Sequence, residues 1–382
     1  MTTNKISDMQ IAWLLPKIGF FWQPMLSEFT KLFPKTNVFT AKFPSFVKGL
    51  ENSIAVETIG SPYQLGTKTQ APGYSCTMTM VSPKIVFPLI RFKPKVIFSN
   101  SFGIWTIFAL LLKPLYRWRV IIAYEGSSPG VDFANSPFRL WMRRLMIKVA
   151  DACITNSKRG EAYLTKVLDA KQDRVFAYPY EVPTTESLSH NSSQALIKSK
   201  LQRPVFLFVG RVVPRKGLGI LLKACKLLKD RGYDNYTLLV LGDGEEREEL
   251  EAFCQTHELE NVVEWKGWIS NDSLNSYFKS SDVFILPTLE DTWGVVIHEA
   301  MLFSKAIICS DAAGSSELVK HNCNGYIFPS QQIEKLAELM SQFIDNPDLI
   351  TQMGKQSQLL IANYTPKSAA QFLAEVTDSI LS

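Results

Sequence analysis

The chain has 382 residues, 46% of them hydrophobic and 20% charged, which is apolar material for one large or two ordinary domains, with two the better expectation. Its six cysteines, Cys76, Cys153, Cys225, Cys254, Cys309 and Cys323, stand singly with no CxxC pair or Cys/His cluster; this speaks against a zinc site or a disulfide framework and for a reducing compartment. The net charge of +5 hides an asymmetry, because residues 1–180 carry 23 Lys+Arg against 10 Asp+Glu and residues 181–382 carry 18 against 26, so the first half is expected to meet an anionic partner, a membrane surface or a nucleic acid, unless it is only a solvated basic face.

Met1 to Gln10 is polar and is followed by a short apolar stretch broken at Pro16 and Lys17, a pattern of neither a signal peptide nor an export sequence. Strands are predicted at IAWLLP (11–16), KVIFSN (95–100), RVIIAY (119–124) and DACITN (151–156). The long uncharged run Val96 to Leu112 is interrupted by Ser99, Asn100, Ser101 and Gly103, which reads as strand, loop and helix rather than a membrane span. Pro179 to Pro204 is rich in Pro, Ser, Thr and Asn and is taken as the hinge between a first domain over 1–180 and a second over 181–365. The second half alternates more sharply. PVFLFVG (204–210), TLLVLG (237–242), VVEWKG (262–267), DVFILP (282–287) and AIICS (306–310) are short apolar runs separated by helical periods, the pattern of a parallel sheet covered on both faces. The last helix, 366–382, with Phe372, Val376 and Ile380 on one stripe, either caps the second domain or crosses back to the first.

Two loops carry candidate chemistry. In FVGRVVPRKG the strand ends at Gly210, and Arg211 and Lys216 sit in the loop before a helix, where strand ends and helix N-termini receive anions. Two cations there suit a diphosphate, Arg as a fork and Lys as a point charge, although both could be ordinary solvated loop cations. In PTLEDTWGVVIHEAM (287–301), Asp291 and Glu299 lie eight positions apart, and the N–H groups around Gly294, Val295 and Val296 lie between them. Two separated acceptors suit the hydroxyls of a sugar and of a ribose; the plainer reading of Glu290 and Asp291 is helix capping. Glu299, flanked by Val296, Ile297 and Met301, is expected to have a dedicated partner, since a buried unpaired carboxylate is costly.

Together GRVVPRKG and DTWGVVIHEA resemble the retaining GT-B glycosyltransferases of family four, and LVLGDGEEREEL, VVEWKGWIS and SDVFILPT follow in that family's usual order, so the resemblance is dense over roughly residues 204–330. It implies an α/β fold of two Rossmann-like domains facing across a cleft, and transfer of a hexose from a nucleotide-diphosphate sugar to a glycan or lipid-linked acceptor. It implies that Gly210, Arg211 and Lys216 hold the donor diphosphate, that Glu299 binds the ribose, that Glu290, Asp291, Thr292, Trp293, Gly294 and Val295 contact the sugar or phosphates, and that Trp268 and Ile269 lie near the base. It implies no cofactor and no metal, and no Asp-x-Asp pair is present to hold one. Three departures stand out. The first acid is Asp291 where the family usually has Glu; the glycine-rich loop after the first strand is reduced to PKIGFFW, with Gly19 as its one donor candidate; and Tyr124, Glu125 and Gly126 stand where many relatives place a histidine, making Glu125 a candidate acceptor contact.

In the first domain, FGIWTIFALLLKPLYRWR (102–119) and FRLWMRRLMIKVA (138–150) mix aromatic, aliphatic and basic residues. Core packing accounts for most of their Leu and Ile; the excess cations point to peripheral attachment to a cytoplasmic membrane face. Among rivals, a nicotinamide oxidoreductase would use GDGEER (242–247) with Glu264, but Arg247 replaces the third glycine and the match is not at the first strand. A sugar-nucleotide epimerase would share the architecture. A nucleic-acid binder has only the charge of the first half in its favour, with no recognition motif.

Overall fold

The computed structural model describes residues 8–61, 63–65, 78–185 and 201–382. The N-terminal segment up to residue 7, Cys76 and residues 186–200 of the expected hinge lie outside them. The chain divides into two units: one runs up to Pro183 and takes in Tyr364–Ser382, and the other is Thr184–Asn363.

The first unit holds strands β1 (Ile11–Leu14), β2 (Thr36–Thr40), β3 (Ala55–Thr58), β4 (Tyr63–Leu65), β5 (Met78–Met80), β6 (Val96–Asn100), β7 (Arg119–Tyr124), β8 (Ala152–Thr155) and β9 (Val175–Ala177). Seven of them form one sheet in the order β3-β2-β1-β6-β7-β8-β9, every pairing parallel, while β4 and β5 form an antiparallel ribbon. Alternate residues of the strands feed two cores, as the two-residue period of a strand requires. Ala12, Leu14, Ile97, Val120 and Ile122 pack with Trp105, Ala109 and Leu110 of helix Ile104–Tyr116 and with Met146 and Ile147 of helix Pro137–Val149. On the other face Trp13 stacks on Phe98 with ring centroids 4.2 Å apart, and both pack with Trp22, Met25 and Phe29 of helix Trp22–Leu32. Helix Pro366–Leu381 closes that same face through Ala369, Ala370, Leu373 and Val376. Thr365 and Ser368 form a reciprocal capping box at its start, and Pro366 occupies its first turn, where a missing N–H costs nothing.

The second unit holds β10 (Val205–Val209), β11 (Thr237–Leu241), β12 (Val263–Gly267), β13 (Val283–Leu286), β14 (Ala306–Ser310) and β15 (Gly325–Phe328) in one parallel sheet ordered β12-β11-β10-β13-β14-β15. Phe206, Phe208, Leu238, Val240, Ile285 and Ile308 pack with Leu218, Leu221, Leu222 and Cys225 of helix Leu218–Asp230 and with Leu336, Met340 and Phe343 of helix Ile333–Asp345. The two units are thus doubly wound parallel α/β domains, the GT-B class. The run Val96 to Leu112 divides into β6 and helix Ile104–Tyr116, and among the described residues no helix is long and apolar enough to cross a membrane. The five described cysteines are free thiols.

Leu373, wholly buried on the Trp13–Phe98 face, gives a direct measure of what the last helix contributes. Leu373→Ala should destabilise the first unit by ~3 kcal/mol, read as a shift of one transition in urea while the transition of the second unit stays in place.

Candidate functional site

In the second unit the chain leaves β10 toward β11 on one side and reaches β13 on the other, so the loops after β10 and β13 diverge at the carboxyl edge of adjacent parallel strands. Such a switch point opens a crevice bounded by strand ends and helix N-termini, where ligands of open α/β sheets bind. The β10 loop delivers Gly210, Arg211 and the turn Pro214–Lys216; the β13 loop delivers Glu290 through Val295 and then helix Val296–Leu302 with Glu299.

The loops are tied by main chain. Leu289 N donates to Arg215 O at 2.8 Å, and Thr288 Oγ1 donates to the same carbonyl at 2.8 Å. Gly217 has φ +69°, and a Cβ there would lie 2.1 Å from the Pro287 carbonyl oxygen, so only glycine lets the strand ends approach this closely. A third loop braces the second. Asp291 and Ala313 form a bridge, Gly314 N donates to Asp291 O at 3.1 Å and Ser315 N to Trp293 O at 2.7 Å. The sequence reasoning missed this Ala312–Ser316 brace; its signal is the run of small residues AAGSS that follows β14 after Asp311.

The charged groups are disposed unequally. Lys216 Nζ donates to Asp291 Oδ2, with both side chains largely buried. Arg211 is exposed, and no described residue pairs with its guanidinium. The N–H groups of Gly294, Val295 and Val296 take no part in main-chain hydrogen bonding among the described residues. Glu299 corrects an expectation: it is half-buried, but no described side chain supplies the partner that its burial was expected to require. Burial accordingly pushes its carboxyl up to about 7. Trp293 is corrected in part, because its indole is 2% exposed and belongs to the core, which leaves only its main chain toward the crevice.

Trp268 and Ile269 follow β12, two strands from β10 on the same carboxyl edge, and the Trp268 ring is 75% exposed. Gly242 and Gly244, the core of the dinucleotide-like GDGEER, serve packing: a Cβ on Gly242 would meet Gly210 O at 1.8 Å and one on Gly244 would meet Val212 O at 2.2 Å. Glu264 is engaged by Lys266 at 2.6 Å.

Gly19 and Glu125 belong to the first unit. Gly19 lies in the loop from β1 to helix Trp22–Leu32, with Phe21 folded against it. Glu125, at the end of β7, accepts from Asn100 Nδ2 at 2.9 Å, while its main-chain oxygen accepts from Asn156 Nδ2 at 3.0 Å. Burial raises its carboxyl above the usual range, against the opposing pull of the Asn100 bond and the Lys17 charge. Asn156 also receives Tyr180 N and Glu181 N, so Glu125 stands in a polar knot at the carboxyl edge of β6, β7 and β8.

Residues 192–359 match the family of glycosyl transferases group 1. Alpha-D-kanosaminyltransferase of Streptomyces kanamyceticus is 23% identical over 260 residues, 66% of this chain and 67% of that protein. The amylovoran biosynthesis glycosyltransferase AmsK of Erwinia amylovora is 28% identical over 151 residues, 38% of this chain and 37% of its own length. Among solved structures, HepE of Anabaena in complex with UDP superposes with a TM-score of 0.76 at 18% identity, covering 97% of this chain and 100% of that one, and it has also been solved with UDP-glucose. At that identity the likeness is one of fold.

The raised carboxyl of Glu299 has a consequence for stability. Between the ordinary value of 4.5 and about 7 the folded chain keeps a proton that the unfolded chain has released, so this group makes stability fall as pH rises through that window. Thermal midpoints measured from pH 5 to 8 should therefore decline less steeply in Glu299→Gln than in the wild type.

Proposed function

We propose that the chain, whose residues 192–359 match the glycosyl transferases group 1 family, transfers a hexosyl group from a nucleoside-diphosphate sugar to a hydroxyl of a glycan or lipid-linked acceptor, in the synthesis of cell-surface polysaccharide or glycolipid. The observation that carries this reading is the pairing of opposites at the switch point: an exposed Arg211 and a half-buried Glu299, neither with a described side-chain partner, on loops that Gly217 and Pro287 hold together. One is a cation suited to a diphosphate, the other an acceptor suited to ribose hydroxyls. Nothing in a self-contained structural network explains both.

In this reading Arg211 forks onto the diphosphate, and Lys216, positioned by Asp291, adds a second positive charge. The N–H groups of Gly294 and Val295, which make no main-chain hydrogen bond among the described residues, meet the phosphate oxygens. Asp291 and Thr292 face the transferred sugar, Glu290 supports their loop, and Trp268 and Ile269 lie toward the base. The bond between the anomeric carbon and the diphosphate oxygen breaks as the acceptor oxygen bonds to that carbon from the same face. The acceptor's proton passes to the departing diphosphate, so configuration is retained without a dedicated base, and the two cations supply the charge compensation without a metal. Glu125, with its raised carboxyl in the first unit, is assigned to the acceptor.

Calorimetric titration with UDP, GDP, ADP and their sugar conjugates tests this. One base series should bind, Arg211→Ala and Glu299→Ala should each weaken it at least about tenfold, or ~1.4 kcal/mol, and wild-type affinity should rise between pH 6 and 8 as Glu299 ionises. Failure of every nucleoside diphosphate to bind, or wild-type affinity in Arg211→Ala, would remove the donor site.

A further inference from the structure

The first unit has a surface that its core does not use. Helix Pro137–Val149 buries Arg143, Met146 and Ile147, yet on its other side Phe138, Trp141, Leu145 and Val149 recur at spacings of three, four and four and are between 41% and 67% exposed. Those spacings place all four on one stripe, with the rings of Phe138 and Trp141 stacked at 6.0 Å. The neighbouring helix Ile104–Tyr116 does the same with Leu111 and Leu115, one turn apart and 69% and 70% exposed. Of the large apolar side chains exposed among the described residues, seven of eleven lie on these two helices. Their carboxyl ends are joined, since Lys113 Nζ donates to Val149 O at 2.6 Å, so the two stripes adjoin.

Beside that junction is a cavity of about 540 Å³ lined by Lys95, Lys113, Arg117 and Arg119, with Val149 and Leu381 among its apolar walls. Asp151 neutralises part of this charge by pairing with Lys113 at 2.7 Å and Arg119 at 3.0 Å. Lys95 and Arg117 have no ion-pair partner among the described residues. Exposed aromatic and aliphatic side chains next to uncompensated cations match the two layers of a bilayer interface, acyl boundary and anionic headgroup. A nucleic acid would use the cations but leave the apolar stripes wet.

We propose that the apolar stripes of helices Ile104–Tyr116 and Pro137–Val149, with the cation-lined cavity between their carboxyl ends, dock the first unit on an anionic phospholipid surface. The stripes enter the boundary between headgroups and acyl chains, and the cavity takes a lipid phosphate. This reading does not depend on the donor site, because vesicle binding needs no nucleotide.

Flotation of the full chain with phosphatidylcholine vesicles, with and without phosphatidylglycerol, provides the test. The expected result is recovery with the mixed vesicles alone, falling as salt rises. Trp141→Ala combined with Leu145→Glu, and separately Lys95→Glu combined with Arg117→Glu, should each reduce recovery at least about fivefold with unfolding transitions unchanged. These side chains are exposed, and the more conservative pair Lys95→Gln with Arg117→Gln serves if the charge reversals fail to fold. Equal recovery on neutral and anionic vesicles, none on either, or recovery indifferent to both surface variants would overturn the proposal. So would a gel shift of RNA at physiological salt by a chain that ignores the vesicles. If millimolar inorganic phosphate released the protein from the vesicles while sodium chloride at the same ionic strength did not, the cavity would be a site for free phosphate and the lipid assignment would fall.

Discussion

The loops at the carboxyl edge of the second unit's sheet depend on one close approach, that of Gly217 to the Pro287 carbonyl. Two parallel strands, β10 and β13, end side by side there while their continuations turn opposite ways. With a side chain at 217 the ends would be pushed apart, and the hydrogen bonds from Leu289 and Thr288 to Arg215 O would lengthen or break. Those bonds set where Lys216 and Asp291 stand, 75 positions apart in sequence yet in contact. A salt bridge this far buried contributes little net stability, because desolvation offsets most of its attraction. What it does is fix two charged side chains at one edge of the crevice, so that a ligand meets them already placed.

Charge around the crevice is therefore settled in part and left open in part. Lys216 and Asp291 compensate one another, and Glu264 has Lys266. Among the described residues, Arg211 and Glu299 have no side-chain partner of opposite sign, and they pay different penalties for it. Arg211 is exposed to solvent. Glu299 is carried by the first turn of a mostly buried helix, between Ile297 and Met301, and meets burial by holding its proton toward neutrality. A carboxyl poised at about 7 can be drawn into its ionised form by hydroxyl donors, so binding and ionisation of this residue are linked.

The strands that carry the site were legible because parallel strands buried on both faces read as unbroken apolar runs, as VFLFV and AIICS do. What escaped were short strands, several at sheet edges. AVET (β3), VFA (β9) and GYIF (β15) have a single neighbour each, and TNVFT (β2) begins with two polar residues. None offers the length or apolar continuity that periodicity needs. Within the site, residue types at strand ends drew attention to Arg211, Lys216, Asp291 and Glu299, and the resemblance gave them roles. The Lys216–Asp291 contact, the AAGSS brace and the missing partner of Glu299 are facts of three-dimensional proximity, which local pattern does not encode. Trp293 shows the reverse error: a residue inside a motif whose side chain serves packing, while its carbonyl serves the loop.

The basic excess of the first half takes on structure once its pairs are removed. Arg143 is consumed inside the fold by Tyr163 and by the carbonyls of Val131 and Asp132, and Arg144 is held by Val167 O and Asp169. Asp151 is shared by Lys113 and Arg119, while Lys95 and Arg117, beside the joined helix ends, have no ion-pair partner among the described residues. Beside those cations, the two helices carry the exposed Leu115 and Val149. Selection for solubility alone would remove exposed leucine and tryptophan from such positions, since single charges could replace them without touching the core. That the cations gather at the carboxyl ends of the two helices that carry the apolar stripes argues that one surface uses them together.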